Sequence, residues 1–291
     1  MRIACGLAAA AALAPLIAVV GYTIRRGIGA WGVDFFSHMP TPPGVPGGGI
    51  LNAIVGSGVI DVMAAVVAIP VGVASGIVLA QANGHLANGI RFATDVLAGI
   101  PSITLGIFAY AVVVTTMRQF SALSASCALA MLMAPIVMRT SESALRGVPG
   151  ELLDAGLALG SRRRTVIWRV LVRTALPGIT TGAILALARA VGETAPLLFT
   201  TIGSQFLTFS PLRPMSAMPL VAYLDGVQEY PDLQATAWGT ALVLLVLALV
   251  LSILGRALAR RFTHPTDSAG RTQSRLRTIL ESRAALSGSN A

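Results

Sequence analysis

An arginine and a glutamate lie four residues apart in a stretch, residues 175–199, that carries no other charge. They are Arg189 and Glu193, within the run Arg-Ala-Val-Gly-Glu-Thr-Ala-Pro. A charge at the centre of a bilayer costs at least about 2.5 kcal/mol, and such charges usually face a protein partner or a water-filled path. The pair therefore indicates either a polar path through this segment or a purely structural ion pair.

The composition places the chain in a lipid bilayer. Apolar residues make up 55% and charged residues 11%, and the mean hydropathy is +0.77, whereas soluble domains carry about 25% charged residues. A membrane-spanning helix needs about 20 apolar residues, and six windows meet that length: 3–24, 51–80, 96–117, 120–138, 175–200 and 236–258. The sequence therefore predicts an all-α polytopic membrane protein with six transmembrane helices.

All 21 basic residues are arginines, and they concentrate in two segments. Seven lie between residues 139 and 173, and six lie between residues 260 and 283. Because positive residues favour the cytoplasmic side, both segments and both termini are predicted to be cytoplasmic, in a multi-pass membrane protein. Topology and anionic lipid explain these arginines better than nucleic acid does. Residues 261–291, rich in Ser, Thr and Arg, are predicted to form a disordered tail.

No group of residues suggests catalysis. The chain has no lysine, so it cannot contain the Gly-x-x-x-x-Gly-Lys-[Ser/Thr] phosphate loop, and we expect no nucleotide to be hydrolysed on it. The three histidines are scattered, and Cys5 and Cys127 lie far apart, so neither a metal site nor a disulfide is indicated. A membrane enzyme would need a nucleophile or a metal cluster, so we expect a non-catalytic chain with no cofactor of its own.

The segment 149–177 is too patterned to be a simple linker. Leu152, Ala155 and Leu159 recur at helical spacing, Gly160 interrupts the pattern, and a second amphipathic run begins at Val166. Two short helices that meet at a glycine can form a knob that docks into a groove on a partner. Alternatively, the two amphipathic helices lie on the membrane surface.

This segment carries a resemblance to a known family. Asp154, Ala155, Gly156 and, four residues further on, Gly160 resemble the Glu-Ala-Ala-x-x-x-Gly coupling motif of ABC importer permeases, with Asp in place of Glu and Gly in place of the second Ala. Three further segments, 99–106, 134–142 and 189–200, add to the likeness. Over roughly residues 10–260 the chain resembles the permeases of phosphate-specific ABC transporters, the PstA type.

The resemblance implies a location in the bacterial plasma (inner) membrane, a fold and a set of partners. The fold would be the type I, MetI-like importer permease fold: a first helix and outer loop (1–50), then a permease domain (51–260) that includes a cytoplasmic coupling segment (141–174). The partners would be a paralogous PstC-type permease, a dimer of PstB-type ATPases that bind ATP and Mg²⁺, and an extracytoplasmic PstS-type phosphate-binding protein. Asp154, Ala155, Gly156 and Gly160 would then contact the ATPase.

Phosphate transport would give the buried charges a role. Phosphate carries one to two negative charges near neutral pH, and arginine offers five N–H donors in a planar array. Arg139, expected at the cytoplasmic end of the fourth helix, and Arg189, expected within the fifth, are the candidates for the anion's path. Glu193 is expected to pair with Arg189 and to keep it from holding phosphate too tightly. Arg139 could equally satisfy topology alone.

Two other features accompany the path. Gly192 and Pro196 are expected to loosen the fifth helix, since proline removes a backbone hydrogen bond. Asp61, an acid within the second window, has no partner that the sequence identifies. Two other transporter classes remain open: a permease for another oxyanion, such as sulfate or molybdate, and an ion-coupled secondary transporter, which would not need the cytoplasmic knob.

Overall fold

The computed structural model describes residues 2–45, 47–82 and 84–262, and these contain helices and no strand. Of the tail predicted over 261–291, residues 261 and 262 end the last helix and the remainder lies outside the described residues. The helices are α1 (Arg2–Gly27), α2 (Val33–Ser37), α3 (Leu51–Gln81), α4 (His85–Gly99), α5 (Ser102–Met117), α6 (Ala122–Arg146), α7 (Glu151–Ala158), α8 (Arg163–Ala190), α9 (Ala195–Thr200), α10 (Met218–Leu224) and α11 (Pro231–Phe262).

Five of these helices, α1, α3, α6, α8 and α11, are long and apolar enough to cross a membrane. The pair α4 and α5 makes a sixth span if it is counted as one, but its two helices are bent by 103°. The predicted span over 96–117 is therefore part of a sharply bent pair of helices and not one continuous helix. At the corner Ile100 has an extended ψ of 132°, because the residue before a proline avoids the helical region. Pro101 follows with ψ 137° and directly precedes the next helix.

The fifth window, 175–200, is also not one helix. Helix α8 ends at Ala190, a turn follows, and α9 begins at Ala195. The turn is closed by hydrogen bonds from the Gly192 amide to the Arg189 carbonyl at 3.3 Å and from the Glu193 amide to the Ala190 carbonyl at 3.0 Å. Pro196, in the first turn of α9, has no N–H to continue the earlier helix. The predicted loosening by glycine and proline is thus a complete break.

Helix α6 is the centre of the bundle, and 67% of its most apolar window is buried. Helices α3 and α8 pack closely against it through Gly-x-x-x-Gly pairs, at 72–76 of α3 and 178–182 of α8. A Cβ on Gly76 would lie 2.6 Å from the Ser141 Cβ, and one on Gly178 would lie 2.7 Å from the Ala144 Cβ. Small residues at such spacing let helix backbones approach closely, so α6 is held firmly against both neighbours.

At the end of the bundle that carries α2 and α10, the chain before α3 is tied to α11. The Trp31 indole donates to the Gly239 carbonyl at 3.0 Å, and the Gly44 amide donates to Asp232 at 3.0 Å. Asp225, just after α10, lines a cavity of about 390 Å³ beside this region. Burial raises the pKa of its carboxyl to about 6.

Candidate anion path and coupling surface

The two arginines predicted to serve the anion line one cavity. Arg139 and Arg189 are fifty residues apart in sequence, yet both border a space of about 380 Å³. Its walls come from the end of α4, the corner at Pro101, the start of α5, the middle of α6 and the end of α8. Its remaining lining is mainly apolar, so the two guanidinium groups are its only basic groups among the lining residues.

Arg139 is positioned by α6. This helix continues to Arg146, so Arg139 lies about two turns before its end and not at the end, as the window 120–138 had suggested. Its guanidinium forms an ion pair with Asp95 of α4. Both side chains are about half exposed, 51% and 56%. Asp95 was missed in the sequence because it stands just before an apolar window, where an acid looks like an ordinary helix-end residue.

Arg189 lies in the last turn of α8, and Glu193 lies beyond the end of that helix. The two nevertheless approach, with 3.6 Å between the Arg189 Nε and the Glu193 Oε1. The predicted pair is therefore formed across the break and not along a helix. Gly192 lies in the same turn, and Pro196 is buried where α9 meets α5: a Cβ on Gly106 would lie 2.6 Å from the Pro196 Cα.

A second charge cluster lies close to the cavity and was not predicted. The carboxylate of Glu142, one turn after Arg139, is only 10% exposed. Its Oε1 accepts hydrogen bonds from Arg91 at 3.2 Å and pairs with Arg146 at 2.9 Å. Both arginines also donate to the carbonyl of Leu79, at 3.1 and 3.4 Å. The cluster joins the end of α3 and the middle of α4 to the end of α6. The four-residue spacing of Glu142 and Arg146 is its one signal in the sequence.

Asp61 lies elsewhere, on a groove between α3, α8 and α11. The groove has a volume of about 490 Å³ and is otherwise apolar, with Leu187 and Leu247 among its lining. The side chain is half-buried. Within the part of the chain that the structure describes, no hydrogen bond or ion pair reaches it. The structure thus separates Asp61 from the arginine cavity.

The coupling segment forms a compact turn. Helix α7 ends in a Schellman motif, with the Ser161 amide bonded to the Gly156 carbonyl at 3.3 Å and the Gly160 amide to the Leu157 carbonyl at 2.9 Å. Gly160 has φ +76°, which favours glycine. The predicted second short helix is instead the beginning of α8, which starts at Arg163 and runs into the fifth span.

One face of α7 is packed and the other is open. A Cβ on Gly156 would lie 2.7 Å from Val166, so this glycine seats α7 on the start of α8. Asp154 and Ala155 are exposed, as are the apolar side chains Leu152 and Leu159, the latter by 85%. An apolar, exposed helix face on a rigid turn is typical of a docking surface.

The chain is similar in sequence to known membrane transport proteins. Residues 68–264 match the family described as the inner membrane component of binding-protein-dependent transport systems. The chain is 38% identical over 251 residues to the phosphate transport system permease protein PstA of Yersinia pestis, covering 86% of this chain and 85% of that protein. It is 41% identical to PstA of Xylella fastidiosa strain Temecula1, covering 82% and 84%.

The fold also matches a solved structure. A chain of the MetNI methionine ABC transporter in an inward-facing conformation superposes with a TM-score of 0.57 at 20% identity, covering 74% of this chain and 94% of that chain. This likeness bears on the fold and confirms the predicted MetI-like permease architecture. The chain therefore belongs to the inner membrane components of binding-protein-dependent transport systems and, within them, to the family of PstA phosphate transport permeases.

Proposed function

We propose that this chain is a permease subunit of an ATP-driven importer of inorganic phosphate. The observation that carries the proposal is the meeting of Arg139 and Arg189 at one cavity. Guanidinium groups bind oxyanions through paired, charge-assisted hydrogen bonds. The names of the relatives, phosphate transport permeases, favour phosphate among the oxyanions.

The path is completed by a second permease. Each arginine of the pair is more than half exposed in this chain, so the cavity is one wall of a path and not a closed site. We expect a paralogous PstC-type permease to supply the opposite wall. A PstS-type binding protein would deliver phosphate at the end of the bundle that carries α2 and α10.

ATP is used by other subunits. The exposed face of α7, with Asp154 and Ala155, would dock on a PstB-type ATPase dimer that binds ATP and Mg²⁺, and the Gly160 turn would transmit the movement into α8 because α7 is seated on its first turn. The permease itself is a non-catalytic subunit in this scheme. The arginine-rich segment that holds α7 supports a cytoplasmic position for this end of the bundle and for both termini.

Phosphate uptake by charge variants tests the function of the arginines. The complex, co-purified from the native membrane and reconstituted in liposomes, is expected to take up radiolabelled phosphate when ATP is supplied. Arg189→Gln should stop uptake and lower the yield of complex, because Glu193 is left without its counter-ion. Arg189→Gln combined with Glu193→Gln should restore the yield but not the uptake.

Other results would count against this role. Near-normal uptake by the double variant would mean that the pair is only structural. Arg118→Gln, at an exposed position at the end of α5, is the matched control and should transport normally. An excess of sulfate or molybdate that competes with phosphate as well as phosphate itself would instead favour the broader oxyanion permease, and uptake independent of ATP would favour an ion-coupled transporter.

A further inference from the structure

We propose that Asp95 is the resident counter-ion of Arg139: its carboxylate occupies the guanidinium when no substrate is bound, yields it to the incoming oxyanion, and pairs with it again as the anion leaves. This role rests on the proposed phosphate function. It makes Asp95 a positioning residue that sets how tightly the path holds its substrate.

The surroundings of the pair favour exchange over permanent pairing. Asp95 and Arg139 are both about half exposed, and Arg139 borders the cavity where an anion would arrive. An exposed ion pair stabilises a protein only slightly, so it can open at little cost. The neighbouring carboxylate of Glu142 differs in this respect, because it is 10% exposed and lies between two arginines.

The carboxylate of Asp95 and a phosphate anion can replace each other on Arg139. A carboxylate and a phosphate oxyanion present the same kind of acceptor oxygens to the guanidinium fork, so they compete for the same donors. Arg189, the other arginine that lines the cavity, is likewise paired with a carboxylate of its own chain, Glu193. Each arginine that lines the cavity therefore has an acid poised to replace the substrate.

The position of Asp95 adds a geometric argument. It lies on α4, four to six residues before the corner at residues 99–101 that separates α4 from α5 and forms part of the cavity wall. Arg139 lies on α6, which is held between two neighbouring helices by close glycine contacts. The pair thus joins α6 to the part of α4 just before the corner, and opening it leaves Arg139 on its closely packed helix and available to the anion.

Inhibition by phosphate on the ATP side tests the inference. Liposomes containing the whole complex are loaded with ATP and with graded concentrations of unlabelled phosphate, and initial uptake of labelled phosphate from the loaded binding protein is measured. In Asp95→Asn the internal competitor is gone. The internal phosphate concentration that halves uptake should then fall about two- to five-fold, the factor expected for an exposed ion pair.

Control variants and the yield of complex decide the outcome. Asp95→Glu keeps the charge and should be inhibited like the wild type. Asp61→Asn, the same change at an acid that lies on a separate groove, should also behave like the wild type. A normal yield of Asp95→Asn complex with unchanged inhibition overturns the inference. So does loss of the complex in both Asp95→Asn and Asp95→Ser, with recovery on adding Arg139→Gln, since that marks a structural pair. A wild-type complex that takes up no phosphate refutes the proposed function itself.

Discussion

Glu142 is the charge whose removal should destabilise this protein most among the paired acids. Its carboxylate is 10% exposed and accepts from both the Nε and the Nη2 of Arg91, at 3.3 and 3.2 Å, while Arg146 approaches to 2.9 Å. Removing one partner of a buried ion pair costs roughly 3 to 5 kcal/mol. The two arginines keep partial access to water, so we expect Glu142→Gln to cost about 3 kcal/mol, the low end of that range.

The arginines should rank below the glutamate. Arg91 is 28% exposed and makes two hydrogen bonds to Glu142, so Arg91→Gln should cost about 2 kcal/mol, the worth of a charge-assisted bond with its partner left buried. Arg146 is half exposed, so Arg146→Gln should cost at most about 1 kcal/mol. Adding Arg91→Gln to Glu142→Gln should cost less than the sum of the two single changes, because the two residues share one interaction.

The assay is the thermal stability of the purified complex, followed as the fraction that elutes intact from size-exclusion chromatography after heating. The expected order of loss is Glu142→Gln, then Arg91→Gln, then Arg146→Gln. Glu229→Gln, at an exposed acid far from the cluster, is the matched control. A Glu142→Gln complex that withstands heat like the wild type would refute the reasoning, as would full additivity of the Glu142 and Arg91 changes.

Two further predictions concern the coupling turn and the opposite end of the bundle. Gly160 has φ +76°, and no atom lies within 4 Å of a Cβ built on it, so Gly160→Asn should keep ATP-driven uptake. Gly160→Val is strained at positive φ by at least about 1 to 2 kcal/mol and should uncouple ATP hydrolysis from transport. Equal coupling in both variants would contradict this prediction. Burial raises the pKa of Asp225 from 3.8 to about 6, so the contribution of this residue to stability should fall as the pH rises from about 4 to 6 and then stay level. Asp225→Asn should therefore raise the melting temperature at pH 7 but not below pH 4. A difference in melting temperature that does not depend on pH would contradict this prediction.

The spans and their charges could be predicted because each depends on local sequence. Four of the six apolar windows correspond to single helices, whereas two windows, 96–117 and 175–200, run past a helix end. Both misjudged ends have a visible cause, the Gly-Ile-Pro run at 99–101 and the Gly-Glu-Thr-Ala-Pro run at 192–196. Hydropathy does not report the backbone constraint that proline imposes. An apolar window can therefore include two helices that a proline separates.

The pairing of charges could not be predicted, because it depends on helix packing. Arg189 and Glu193 are near in sequence and were expected to meet. Asp95 meets Arg139 from 44 residues away, and Arg91 meets Glu142 from 51 residues away. The Gly-x-x-x-Gly spacings at 72–76 and 178–182 mark close helix contacts, but they do not name α6 as the common partner. That shared partner brings both ion pairs onto neighbouring turns of one helix.

The helices around the proposed path differ in how closely they are packed. The Glu142 cluster ties the end of α3 and the middle of α4 to α6, and glycine contacts hold α6 between α3 and α8, so the wall that bears Arg139 is closely packed. The other wall consists of helix ends: the corner between α4 and α5 and the break between α8 and α9. Hinges form where a few terminal residues absorb a change in dihedral angles. Arg189 and Glu193 lie at such a break, and α8 begins at the turn around Gly160. In the proposed scheme a push on α7 would therefore reach Arg189 through α8, while Arg139 would stay in place to receive the anion.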